Sequence, residues 1–273
     1  MITNRDIQLY QGSSLSHSKD SLYVLPHILL RPYISCYTFT FPQVMSDNYT
    51  ILPTASARFI LSVANGHIHS GLVGVNTKIV HTGNVNKMDL LVLIEFHSGC
   101  LYPFINIPQS EFLDASFDLY DIDKPLAYEL ETELVISESI EALIHVFNSI
   151  FISKLTCLQN IKLITAIKNE IRIHNGNISL NDISTTFHYS EKHIRRMFTK
   201  HIGVSPKLFS RIVRINHVLH LLQDGNANLT DIATQAGYFD QSHFIHDFKH
   251  ICGSTPQQYI QNMSDFYNDT YKV

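Results

Sequence analysis

The segment from Leu180 to Pro206 lies over the segment from Leu229 to Pro256, with one extra residue in the second copy. Before the insertion, Leu180, Asp182, Ile183, Thr185 and Tyr189 recur as Leu229, Asp231, Ile232, Thr234 and Tyr238; after it, His193, Phe198, Gly203 and Pro206 recur as His243, Phe248, Gly253 and Pro256. Self-similarity at a fixed period marks a repeated supersecondary unit. Any fold for this chain must therefore accommodate two copies of one small motif near its carboxyl end.

Each copy reads as helix, tight turn, helix. Ser179 followed three residues later by Asp182 is a capping-box start, and Leu180, Ile183 and Phe187 share one helical face. Asn228 and Asp231 open the second copy in the same way. After turns at His188 to Tyr189 and Gly237 to Phe239, the second helix of each pair opens at Ser190 or Asp240, both good N-caps. Ile194, Met197 and Phe198, and Phe244 and Phe248, supply the buried stripes, and Gly203 and Gly253 stop the helices. Such a pair would also serve as a plain hairpin in a bundle, so the outward face decides. There the first copy carries Lys192, Arg195 and Arg196 and the second Gln241, Ser242, His243 and His246, side chains able to bond base edges in a DNA groove. Ser190, Lys200, Asp240 and Lys249 stand as phosphate-contact candidates, although Lys200 and Lys249 at helix ends would equally stabilise the dipole. Between the copies a helical pattern runs from Pro206 through Phe209, Ile212, Ile215, Val218 and Leu222. About 16 residues of helix make a spacer of roughly 24 Å. With the width of the helices it joins, both second helices are expected to enter major grooves about one turn of DNA apart.

At this point the residues resemble the AraC/XylS family of transcription regulators. The carrying pattern is Leu180-x-x-Ile183, Ser190-x-x-x-Ile194-x-x-x-Phe198, Gly203-x-Ser205-Pro206, Arg214, Leu221-Leu222, Asp231-Ile232-Ala233, Gly237-Tyr238, Asp240-Gln241, Phe244, Phe248-Lys249, Gly253-x-Thr255-Pro256 and Tyr259. The resemblance implies a first helix near Ile161 to His174, two helical subdomains joined by a connecting helix, and base-reading residues at the seven outward positions named above. His246 stands where Arg is common in the family, which implies a weaker or pH-dependent grip by the second unit. Arg214 is expected to brace the connecting helix rather than touch DNA. The implied partners are double-stranded promoter DNA and RNA polymerase, with a small-molecule effector at the amino-terminal part and a homodimer among the expected assemblies.

Charge divides the chain in agreement with this. Residues 1 to 159 hold 8 Lys/Arg against 15 Asp/Glu, whereas residues 160 to 263 hold 11 against 7, and nine of the sixteen histidines fall in the second segment. A basic carboxyl-terminal part suits an anionic partner, as does a merely solvated basic face. At 45% hydrophobic and 16% charged residues, global disorder is excluded. No run approaches the roughly 18 apolar residues of a spanning helix, so a cytoplasmic protein, nucleoid-associated when bound, is expected.

The amino-terminal part carries short β-prone runs at Tyr37 to Phe41, Arg58 to Val63, Leu72 to Val75 and Leu90 to Phe96. They predict a sheet-rich domain, a cupin-like barrel or sandwich over residues 1–124, similar to the sensor domains of some family members. Leu126, Leu130 and Leu134, then Ile140, Leu143, Ile144, Phe147, Ile150 and Phe151, predict a helical region over 125–158. It either covers the sheet or pairs with another subunit. The DNA-binding part is placed at 159–263 and a tail at 264–273. The whole is thus an α+β multidomain chain whose carboxyl-terminal domain is all-α.

His67-x-His69 puts two imidazoles on one strand face, but no third ligand follows at metal-site spacing, and Gly66 and Gly71 suggest a hairpin tip; no metal or cofactor is assigned. Glu95 and His97 alternate in an apolar run, where packing is the expected role. Tyr33, Tyr37, Phe39, Phe59, Phe96, Tyr102 and Phe104 suit either a ligand pocket or a core. An enzyme is not expected. A methyl-accepting repair protein would need an activated thiolate, and Cys36, Cys100, Cys157 and Cys252 are isolated in sequence; no G-x-S-x-G elbow is present either.

Overall fold

The computed structural model describes residues 2–41, 50–51, 53–81, 88–155, 161–223 and 228–261. Among the described residues the amino-terminal part has nine strands: β1 (Ser16–His17), β2 (Ser21–Val24), β3 (Ile34–Thr40), β4 (Thr50–Ile51), β5 (Arg58–Ala64), β6 (His67–Val73), β7 (Val80–His81), β8 (Leu90–Phe96) and β9 (Ser116–Asp118). Seven form an antiparallel sheet in the order β1-β2-β3-β8-β5-β6-β9, and β4 pairs with β7 separately. Three of the four expected runs fall on β3, β5 and β8, which lie side by side at the sheet centre. The fourth is displaced: β6 begins at His67 rather than Leu72, because Asn65 and Gly66, with φ of 51° and 76°, make the tight turn that joins β5 directly to β6. Both central residues of that turn need positive φ, which Asn-Gly supplies cheaply.

Alternation along the central strands sorts the sheet into two faces. Tyr37, Phe39, Phe59, Leu61, Val92, Ile94 and Phe96 are buried in one core with α1 (Asn4–Leu9), α2 (Tyr102–Ile105) and α3 (Leu119–Ile122) around its margin. Phe59 and Phe96 meet edge to face at 5.2 Å, and Phe104 joins Phe96 at 5.2 Å. Most of the aromatic set therefore makes core. On the opposite face, Arg58 is buried as the cross-strand partner of Glu95, and Thr38 donates to the Glu95 carboxylate at 3.4 Å. Burial lowers the Arg58 pKa and the Glu95 charge offsets part of that fall. His97 bonds the Arg31 carbonyl at 3.1 Å, so both alternating polar residues have packing roles.

The two expected helices are α4 (Lys124–Ile136) and α5 (Ile140–Lys154), capped by Asp123 and Ser139. Their apolar stripes answer the question the sequence left open. Leu126, Leu130, Leu134, Leu143, Phe147 and Phe151 are all fully buried in the sheet core, with Phe59 stacked 6.2 Å from Phe151. These stripes cover the sheet, and a subunit contact through the same helices would have to use their outer faces.

The carboxyl-terminal part is helical: α6 (Ile161–Ile173), α7 (Leu180–Phe187), α8 (Glu191–His201), α9 (Pro206–Gln223), α10 (Leu229–Gln235), α11 (Gln241–Cys252) and α12 (Pro256–Gln261). It holds two cores. One gathers Ile164, Ile167, Ile171, Ile183, Ile194, Phe198, Phe209 and Ile212; the other gathers Ile215, Val218, Leu219, Ile232, Phe244, Phe248 and Tyr259. The amino half of α9 serves the first and its carboxyl half the second. The connecting helix has 18 residues and runs one position past Leu222; Ser205 caps it at the Leu208 amide and Pro206 occupies its first turn. The chain is accordingly α+β, an antiparallel-sheet domain followed by a helical one. Cys36, Cys100 and Cys252 are buried, and burial raises the Cys252 thiol to about 12; Cys157 and the 264–273 tail lie outside the described residues. No described helix is long and apolar enough to cross a membrane.

Candidate nucleic-acid interface

Each repeat folds as a helix pair whose turn is fixed by side-chain hydrogen bonds. In the first, His188 ends α7 at φ 56°, the Tyr189 amide reaches the Ser184 carbonyl at 3.3 Å, and the Ser184 hydroxyl donates to the Tyr189 carbonyl at 2.6 Å. The Ser190 hydroxyl then accepts from the His193 amide and starts α8. In the second, Asn177 from the α6–α7 loop donates to the Ala236 carbonyl at 3.0 Å, and the Asp240 carboxylate accepts from the His243 amide at 2.7 Å to start α11. Ser179 and Asn228 cap α7 and α10 as the sequence indicates.

The seven base-reading candidates fall on α8 and α11, and all are exposed or half-exposed: Lys192, Arg195 and Arg196 on one helix, Gln241, Ser242, His243 and His246 on the other. Arg195 makes an i,i+4 ion pair with Glu191 at 3.1 Å, with both side chains about half exposed. Such a pair is worth only about 0.3–0.5 kcal/mol, too little to keep the guanidinium from a stronger anion. Between the two helices lies a cleft of about 570 Å³ that includes Arg195 from α8, Lys207, Arg211 and Arg214 from α9, and His243 and Asp247 from α11. The arrangement presents two polar helix faces flanking a basic hollow.

The four phosphate candidates divide. Lys249 is exposed near the end of α11. Ser190 and Asp240 serve as the N-caps just described, and the Asp240 carboxylate carries the wrong charge to meet a phosphate directly. Lys200 places its Nζ 4.8 Å from the centre of the Tyr102 ring, a cation–π contact with the sheet domain. Arg214 braces as expected: it donates to the Gly176 carbonyl at 3.0 Å and lies 5.2 Å over the Tyr238 ring.

Sequence reasoning missed the acid that locks the second unit to the connecting helix. Asp247 is buried on α11, accepts from Arg211 Nε at 2.9 Å and Nη2 at 2.5 Å, and accepts from the Tyr238 hydroxyl at 2.9 Å. One carboxylate thereby ties α9, α11 and the turn of the second motif. The available signal was its position: Asp247 sits directly before Phe248 on the apolar stripe, where an acid needs a partner.

Sequence reasoning also missed a seam between the sheet domain and the first helix pair. The Lys168 Nζ on α6 donates to the Ser98 carbonyl, and His201 at the end of α8 packs its ring 4.7 Å from that of Tyr102. Gly203, at φ +91°, lies so near the Gln109 backbone that a Cβ there would come within 2.9 Å of its carbonyl oxygen. The Ile79 amide reaches the Ile251 carbonyl at 3.3 Å, so the second pair is touched as well.

The seam predicts a pH effect. Burial, helped by the Lys200 charge, lowers the His201 pKa from 6.5 to about 4. The folded chain thus holds the imidazole neutral while the unfolded chain takes up its proton below about pH 6.5. Stability contributed by this residue is complete above that value and is lost as pH falls toward about 4. Denaturant midpoints followed from neutral to mildly acidic pH should fall for the wild type and fall less for His201→Gln; equal slopes would reject the assignment.

A helix-turn-helix domain family matches residues 183–262. An uncharacterised HTH-type transcriptional regulator of Staphylococcus aureus strain MSSA476 is 34% identical over 90 residues, covering 33% of this chain and 12% of that protein. A second such regulator, from Bacillus subtilis, is 40% identical over 67 residues, 24% of each chain. The matched segments thus span less than a quarter of either curated relative. Among solved structures, ToxT from Vibrio cholerae aligns over 80% of this chain and 94% of its own at 14% identity and a TM-score of 0.43. The carboxyl-terminal domain of AraT from Geobacillus stearothermophilus aligns over 39% of this chain and 90% of its own at 24% identity and a TM-score of 0.35. Residues 183–262 therefore match a helix-turn-helix domain family, and they follow an antiparallel-sheet domain.

Proposed function

We propose that the chain is a sequence-specific DNA-binding transcription regulator in which α8 and α11 enter successive major grooves of a promoter. The observation that carries this reading is the duplication itself: two capped helices bearing exposed Lys192, Arg195 and Arg196, and Gln241, Ser242, His243 and His246, stand on either side of a basic cleft and are held apart by α9. Eighteen helical residues span roughly 27 Å, which with the helix widths suits the 34 Å turn of B-DNA. Lys249 and the Ser190 hydroxyl serve phosphate, while Asp240 acts through the backbone amides it orients. Lys200 divides its charge between the Tyr102 ring and any nearby strand.

In this reading residues 1–124 form the sensor domain, 125–158 the helical cover, 159–263 the DNA-binding domain and 264–273 a tail. The sheet domain takes a small-molecule effector and signals through the seam at Ser98, Tyr102 and Gln109. The chain is not an enzyme; it acts in the cytoplasm on DNA and on RNA polymerase, and a homodimer would form through the outer faces of α4 and α5. Selection of bound duplexes from a random pool by the intact protein, at a stated salt concentration, tests the central claim. A bipartite motif with half-sites one helical turn apart is the expected result. Enrichment of a single half-site would leave one unit idle, and no enrichment at any salt would sink the reading.

A further inference from the structure

We propose that Phe239 is a specificity residue of the second unit, its ring packing against the 5-methyl group of a thymine in the half-site that α11 serves. This rests on the DNA-binding reading above and names one base contact within it.

Phe239 is the inserted residue of the second repeat and has no counterpart in the first. It is 95% exposed, the most exposed large apolar side chain among the described residues. Leaving a phenylalanine in water forfeits most of what its burial would return, so a partner that covers this ring recovers that free energy. The turn cannot fold it away. On one side Tyr238 is buried, bonded to Asp247 and covered by Arg214; on the other Asp240 caps α11. A ring with two torsions on a fixed turn also loses little freedom on binding.

The surroundings select the partner. Gln241 and Ser242, exposed on the first turn of α11, follow directly, and the first turn of a recognition helix is the part that reaches base edges. Within the major groove the thymine methyl is the apolar group, and phenylalanine is among the side chains that meet it. A protein or membrane surface would want a broad apolar patch, whereas Phe239 is flanked along the chain by the exposed Gly237, Asp240, Gln241 and Ser242. The first unit offers no equivalent: Tyr189 is 43% exposed and lies stacked on His193 at 5.0 Å.

The test uses the intact protein and its selected duplex, with each thymine of the α11 half-site replaced in turn by uracil, which lacks the methyl group. One replacement should weaken wild-type binding about three- to fivefold, the worth of burying one methyl. Phe239→Ala should bind the thymine duplex more weakly by a similar factor and no longer distinguish it from the uracil duplex. Phe239→Leu should keep the distinction. Because the side chain is exposed, thermal melting of the alanine variant should match wild type, which separates contact from folding. Wild-type indifference to every replacement overturns the proposal, as does an alanine variant that weakens both duplexes equally while still telling them apart. Failure of the wild type to select any duplex overturns the DNA-binding reading first and this contact with it, before any variant is made.

Discussion

Asp247→Ala destabilises the carboxyl-terminal domain by about 3 kcal/mol. Removing one partner of a buried pair costs roughly 3–5 kcal/mol because the other charge is left uncompensated, and the 29% exposure of the Arg211 side chain argues for the lower end. The Tyr238 hydroxyl loses its acceptor in the same step, and it has no gentle alternative: burial together with the Asp247 charge already raises its pKa, so it stays a neutral donor in need of a partner. Asp247→Asn keeps an oxygen for one donor and should lose about half as much. Urea denaturation followed by circular dichroism measures both. An alanine variant that unfolds with the wild type would show that the triad contributes nothing to stability.

Arg196→Ala weakens binding to the selected duplex by about 5- to 150-fold, the 1–3 kcal/mol expected of a side chain that reads a base directly. The loss should be confined to duplexes carrying the preferred base at one position of the α8 half-site, while binding to unrelated sequence changes little. A uniform loss across all sequences would make Arg196 a phosphate contact instead. Arg195→Ala supplies the comparison. Its exposed pair with Glu191 is weak, so the pair does not protect DNA from its loss, and which of the two arginines shows base-dependent loss decides which is the reader.

The parts legible in the sequence are those where local chemistry and periodicity coincide. Ser179, Ser190, Asn228 and Asp240 each cap the helix that follows, and the stripes through Ile194, Phe198, Phe244 and Phe248 are buried as their spacing requires. Strands β3, β5 and β8 were visible because aromatic and branched residues alternate along them. The rest depends on partners distant in sequence. Nothing near His67 tells that β6 starts there, since the turn at Asn65 and Gly66 sets the register. Asp247 looks like a misplaced acid until Arg211, on another helix, is brought to it. Nothing near Lys200 tells that its Nζ lies over the Tyr102 ring of the other domain. Such contacts are properties of the assembled fold and leave no periodic trace.

Gly203 turns the end of α8 into the short arm of a lever. With the α8 end seated against the Gln109 backbone, a movement of that segment acts at the fixed end of a helix of 11 residues, roughly 16 Å long. A tilt of about 10° there carries the far end, at Glu191 and Lys192, by about 3 Å, close to the roughly 3.4 Å step between base pairs. On the DNA-binding reading proposed above, a small rotation imposed at that seat would shift the reading end of α8 by nearly one base-pair step.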